Sequence, residues 1–137
     1  MVHINYVAIL VSGVASMVIG SIWYGPLFGK IFMREMGMDK WSPEKRAEMR
    51  KSMVMTYVLQ FIASMVMFYV LARFISQHGP ISVMQGVTVA LWTWIGFVVP
   101  VKLGDAIWGG NMTLFWIGSS NMLATLLASG AIIGALK

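Results

Sequence analysis

The polar residues of this chain that could do chemistry lie inside stretches without charge. Gln60 and Ser64 are one helical turn apart, with Thr56 one turn before them. Gln85, Thr88 and Thr93 form a second group, and Ser119, Ser120, Asn121 and Thr125 a third. An amide that leaves water unpaired is destabilising, so Gln60 and Asn121 are expected to point inward and find partners. Bonds of this kind join membrane helices at about 0.6 kcal/mol each. The alternative is a midplane site where the amides hold the polar group of an otherwise apolar ligand, walled by Trp92, Trp94 and Trp116.

Other chemistries find less support. The 13 methionines include Met33-x-x-Met36-x-Met38, Met53-x-Met55 and Met65-x-Met67, and thioethers suit Cu(I). Methionine also fills irregular gaps and favours helices, which is the simpler reading. A shared metal or haem site would need His3 and His78 to meet. With no cysteine, thiolate sites, disulfides and Cys nucleophiles drop out. Proton-coupled transport needs an ionisable group within the membrane. The nearest ones, Arg73, Lys102 and Asp105, are read as lying at span edges. Membrane serines lack a base at matching depth, and no HExxH, Walker, GxSxG or GxGxxG pattern occurs. The expectation is a non-enzymatic protein without metal or cofactor.

The elements that position these groups follow from charge and hydropathy. Of the 137 residues, 58% are hydrophobic and 11% charged, against about 25% charged in soluble domains. Residues 4–22, 53–72, 81–101 and 112–136 hold no Asp, Glu, Lys, Arg or His. Each reaches the roughly 18–20 residues that cross a ~30 Å hydrocarbon layer. The first lacks a basic leader and a small-x-small cleavage site, and is read as a retained helix rather than a signal peptide. The predicted fold is an all-α integral membrane protein, a single domain over residues 1–137. Four antiparallel transmembrane helices span about 4–22, 53–75, 81–102 and 112–136, with a cytoplasmic basic loop over 23–52.

Inside that loop, Leu27, Phe28, Ile31, Phe32 and Met36 recur at helical spacing opposite Lys30, Arg34 and Glu35. This predicts a short interfacial helix, apolar face down, stopped by Gly37. Ser42-Pro43-Glu44 reads as N-cap, first-turn proline and first-turn acid of a helix that runs unbroken into the second span. Gly79-Pro80 separates the second and third spans, and residues 104–111 separate the third and fourth, with Asn111 as N-cap. Pro100 is expected to kink or fray the third. Eight of the ten basic residues fall on one side. The positive-inside rule makes that side cytoplasmic and turns both termini outward. The same rule accounts for the net charge of +5 better than nucleic acid does.

Two further features concern partners. Ala8, Ser12, Ser16 and Gly20 form a small-residue stripe on the first span, and Ser120, Ala124 and Ala128, with Gly130 and Gly134 beyond, form another on the fourth. Such stripes let backbones approach, within one bundle or between copies in a homo-oligomer, a dimer being favoured. Where the first span ends, Gly20 to Lys30 reads GSIWYGPLFGK. Trp23 and Tyr24 suit the aromatic belt, Gly25-Pro26 breaks the helix, and Gly29 allows close backbone approach. Lys30 faces an anionic leaflet. The alternative is a headgroup pocket at this turn, with Lys30 as its cation.

Trp23-Tyr24, then Pro26-Leu27-Phe28-Gly29-Lys30, a basic loop and three more spans resemble the family called domain of unknown function 1761 over nearly the whole chain. Gly25 stands where many members have serine, and Trp108 to Asn111 lack the acidic and basic pair often found before the last span. The resemblance implies a small four-helix protein of the bacterial inner membrane and no particular activity. The expected function is a bundle that binds a membrane lipid, another apolar ligand or a membrane partner. Gln60 and Asn121 are its leading inward polar contacts, and Trp23, Tyr24, Pro26, Lys30, Ser64, Ser120 and Trp92 are further candidate ligand or packing residues. A small uncoupled transporter or channel for weakly polar solutes is the alternative.

Overall fold

The computed structural model describes residues 4–136, so His3 and Lys137 lie outside the described residues. All regular structure among the described residues is helical. Helix α1 (Tyr6–Ile22) continues through a π turn over Trp23–Leu27, and α2 (Gly29–Glu35) and a 3-10 turn (Met38–Lys40) follow. Next come α3 (Pro43–Gln77), α4 (Val83–Thr93), a second π turn (Trp94–Val98), α5 (Val99–Gly109) and α6 (Met112–Ala135). Counted through their π turns, four helices of 22, 35, 27 and 24 residues are long and apolar enough to cross a membrane. At 1.5 Å per residue the shortest reaches about 33 Å. The chain is a membrane protein by this measure.

Helix starts follow local side-chain chemistry. Ser42 Oγ accepts from the amide of Lys45 at 3.2 Å, Pro43 takes the first helical position, and α3 then runs 35 residues without a break. Asn111 Oδ1 caps α6 by accepting from Leu114 at 3.1 Å. Asn5 caps α1 through Val7 and Ala8, while its amide nitrogen donates to the carbonyl of Leu136. Gly37, at φ 75°, ends α2 by taking a conformation that a side chain would strain.

Three expected boundaries move. Gly25-Pro26 does not end the first helix, which extends past residue 22 to Leu27. A proline lacks an amide proton and crowds the carbonyl four residues back. The wider turn removes both conflicts, with Phe28 bonding back to Trp23 O at 2.9 Å. Pro100 is met in the same way, by the π turn over Trp94–Val98, and the third helix does not fray there. It runs to Gly109 instead of ending near residue 102, so residues 104–109 are helix rather than loop. The chain turns at Gly110, φ 72°. Pro80 precedes its helix instead of opening it, and Ser82 is the N-cap of α4, accepting from Gln85 at 3.1 Å.

Helix α6 is the most enclosed of the four, with half of its apolar window buried. Its Gly130 lies against Gly86 of α4, and Gly134 against the Ser82 carbonyl, so closely that a Cβ on any of these glycines would enter the opposing backbone. On α1, Ala8 and Ser12 are buried, and Gly13 backs onto Phe61 and Met65 of α3. Both small-residue stripes therefore serve packing inside the chain, although Gly20 faces open space. The apolar core gathers Ile4, Ala8 and Ile9, then Phe68, Leu71, Ala72 and Ile75 of α3, with Ala90, Leu126 and Ile133. By contrast, α3 is exposed at every residue from Pro43 to Gln60.

Candidate functional site

The Ser119-Ser120-Asn121 run is where polar groups from different helices converge. The indole of Trp23, half-buried at the end of α1, donates to Ser120 Oγ at 3.0 Å. Ser120 in turn donates to the Trp116 carbonyl at 2.6 Å. The Trp94 indole donates to the Ser119 carbonyl at 2.8 Å, and Ser119 Oγ donates to the Phe115 carbonyl at 2.6 Å. Two aromatic donors, one from each π turn, thus clamp one turn of α6. Each indole buries its apolar body and satisfies its single N–H, the usual arrangement for enclosed tryptophan.

Asn121 lies on the same turn and is half-buried, but the partner expected for its amide oxygen is not among the described residues. Its Oδ1 is enclosed without a hydrogen-bond partner among the described residues, as are Ser12 Oγ and Ser129 Oγ. Gln60 does not join them. It is exposed, and its amide returns to its own helix, donating to buried Ser64 Oγ at 3.3 Å. One intrahelical bond to a neighbouring hydroxyl satisfies part of the amide without an interhelical contact. Trp92 and Trp116 are 68% and 65% exposed and wall no interior site. Trp94 alone of the three expected walls turns inward.

The turn after α1 is built by aromatic contact. Trp23 packs on Phe28 with ring centres 5.9 Å apart, and Tyr24 meets Phe32 edge-on at 4.8 Å. A Cβ on Gly29 would stand 2.7 Å from the Tyr24 carbonyl oxygen, the close approach expected at that glycine. The indole edge of Trp23 points to Ser120, not to headgroups. Pro26 is exposed within its π turn, and exposed Lys30 borders neither of the two cavities described next.

The first cavity is an apolar groove of about 340 Å³ between α3, the second π turn and α6. Met67, Val70, Leu71, Phe74, Thr93, Phe97 and Leu126 line it. Its one polar side chain, Thr93, donates its hydroxyl to the Val89 carbonyl at 2.9 Å. Sequence spacing offered little guide to it, because Met67, Leu71 and Phe74 follow the same helical periodicity as every other apolar face of α3. The second cavity, about 220 Å³, lies at the α5–α6 turn and includes Lys102, Asp105, Asn111 and Phe115. Lys102 lies inside the third helix, about two turns before its end, because that helix runs on to Gly109. Its side chain lies along Gly118, where a Cβ would meet the Lys102 Nζ at 3.5 Å, an ordinary contact. Glu35 of α2 accepts from Asn111 Nδ2 at 3.0 Å beside the same cavity. No group of three His, Cys, Asp or Glu able to hold a metal forms among the described residues.

Comparison with curated proteins and with solved structures gives no match. A family model does match, over residues 7–134, nearly the whole chain. The aromatic-proline turn and the four apolar helices are thus features of a family member: the chain belongs to the family described as "Protein of unknown function (DUF1761)".

Proposed function

We propose that this protein is a non-enzymatic membrane bundle that holds the apolar tail of a lipid or lipid-like molecule. The observation that carries the reading is the 340 Å³ groove. Its volume falls within the ~300–1,000 Å³ of ligand pockets. Its only polar side chain already has a partner, so the groove asks for hydrocarbon. Val70 and Phe97, 41% and 65% exposed, form an edge open to the bundle's surface, from which a tail can enter sideways.

The finer architecture belongs to this proposal. The helices alternate in direction, a reading supported by Asn5 meeting Leu136 while Trp23 meets Ser120. Helix α2 lies in the headgroup layer, with exposed Leu27, Ile31 and Met36 toward lipid and Lys30 and Arg34 toward water. Basic residues then face the cytoplasm of a bacterial inner membrane, and both termini face outward. Self-association fits the exposed Met53–Leu59 stretch of α3 better than Gly130 and Gly134, which the chain itself covers.

The test is native mass spectrometry of protein released in mild detergent, with organic extraction of whatever is retained. A co-purifying amphiphile lost in Val70→Trp, which fills the groove edge, is expected. Ligand-free wild type, or equal loading of the variant, refutes the reading. One observation favours the transport alternative: Asn121 Oδ1, Ser12 Oγ and Ser129 Oγ are buried without partners, and a polar solute would satisfy them. Each such atom costs about 1–3 kcal/mol unsatisfied. Flux in proteoliposomes that Asn121→Leu abolishes would favour transport over tail binding.

A further inference from the structure

The cavity at the α5–α6 turn carries a different chemistry from the groove. Lys102 and Asp105 line it one turn apart on α5, which places their Cβ atoms about 5–6 Å apart. Neither side chain makes an ion pair or hydrogen bond among the described residues. An unpaired ammonium beside Gly118, inside a spanning helix, is unfavourable without a partner. The third charge nearby is Glu35, whose carboxylate already accepts from Asn111. Half-buried Lys102 and exposed Asp105 thus face a cavity of about 220 Å³, with Glu35 beside it on Asn111.

Leu114 and Phe115 complete the lining. On the outside of the same helix end, Trp108 is 92% exposed and Ile107 68% exposed, as residues at a membrane–water interface are. The cavity therefore opens at headgroup depth.

We infer that this cavity binds a zwitterionic phosphoethanolamine group, its phosphate on Lys102 and its ammonium on Asp105. The ligand separates two charges that stand near each other without pairing, and it gives each a charge-assisted hydrogen bond. It brings no net charge, whereas an anionic headgroup would face Asp105. A trimethylammonium headgroup has the right charges but no N–H to donate to Asp105.

The test titrates the full-length protein in nanodiscs or mild detergent with phosphatidylethanolamine, phosphatidylcholine and phosphatidylglycerol of identical chains, bound lipid being counted by native mass spectrometry. Wild type should retain phosphatidylethanolamine about tenfold better than either of the others, the worth of one charge-assisted hydrogen bond. Lys102→Gln and Asp105→Asn should each abolish that preference. Soluble glycerophosphoethanolamine that displaces the lipid would make the headgroup alone the ligand, and failure to displace it assigns the whole lipid. Equal retention of phosphatidylglycerol, or an unchanged preference in Asp105→Asn, overturns the inference. The wild-type lipid series decides the matter even where a variant fails to fold.

Discussion

Alanine at Gly86 or Gly130 tests whether direct backbone contact sets the crossing of α4 on α6. A Cβ on Gly130 would stand 2.8 Å from the Gly86 carbonyl carbon and 3.0 Å from the Ala90 Cβ. A Cβ on Gly86 would stand 2.7 Å from the Gly130 carbonyl carbon, with the oxygen nearer still. Non-bonded carbons rest at about 3.5–4.0 Å, so the helices must part by roughly 1 Å. The obstacles are backbone and a short alanine methyl, which cannot swing aside. A gap of that size forfeits about a quarter to a half of each dispersion contact, and in lipid those contacts are a main force holding helices together.

Overfilling a packed site costs about 1–3 kcal/mol. Alanine recovers up to about 1 kcal/mol of helix propensity over glycine. Each single variant should therefore lose about 0–2 kcal/mol against wild type and about 1–3 kcal/mol against a Gly→Ala control without a clash, read as reversible unfolding in mixed micelles followed by tryptophan fluorescence. One separation relieves both clashes, so the double variant should lose less than the two singles added. Gly96→Ala and Gly20→Ala, where a Cβ meets nothing within 4 Å, are the controls and should be neutral or stabilising. Gly86→Ala and Gly130→Ala indistinguishable from these controls would refute the backbone crossing.

Trp94→Phe removes the donor to the Ser119 carbonyl and should cost about 0.5–1.5 kcal/mol in the same assay, while Trp92→Phe should be silent. Ser42→Ala removes the N-cap of α3 and should cost about 1 kcal/mol locally, seen as faster amide exchange around Lys45 with α6 unaffected. A reporter active only in the cytoplasm, fused after Lys137, should stay inactive; activity would reverse the proposed topology.

The parts of this fold that were legible in the sequence are those decided locally. Ser42-Pro43-Glu44 announces the start of α3 because capping involves only the next few residues. Gly37 ends α2 for an equally local reason. The azimuth of each membrane helix was not legible. In a helix apolar all round, no hydrophobic stripe separates the inner face from the lipid face. Polarity predicts Gln60 inward, yet one bond to Ser64 lets it remain on the exposed face. Trp94 was one of three tryptophans without distinguishing context, and only the tertiary position of the Ser119 carbonyl singles it out. The Gly130-x-x-x-Gly134 spacing marked a close approach without naming Gly86 and Ser82 as the partners.

The third helix shows why charge alone is a poor marker of where a membrane helix ends. Ending the span at Lys102 assumes that a lysine must lie outside hydrocarbon, but a long apolar stem lets the ammonium travel while the backbone stays put. What ends the helix is conformational: Gly110 takes the left-handed turn, and Asn111 starts the next helix by capping Leu114. Neither signal depends on the polarity of the seven residues before it. Locating the caps first and the charges second places Lys102 and Asp105 within the helix, one turn apart. The Lys102 stem then runs along α6 at Gly118.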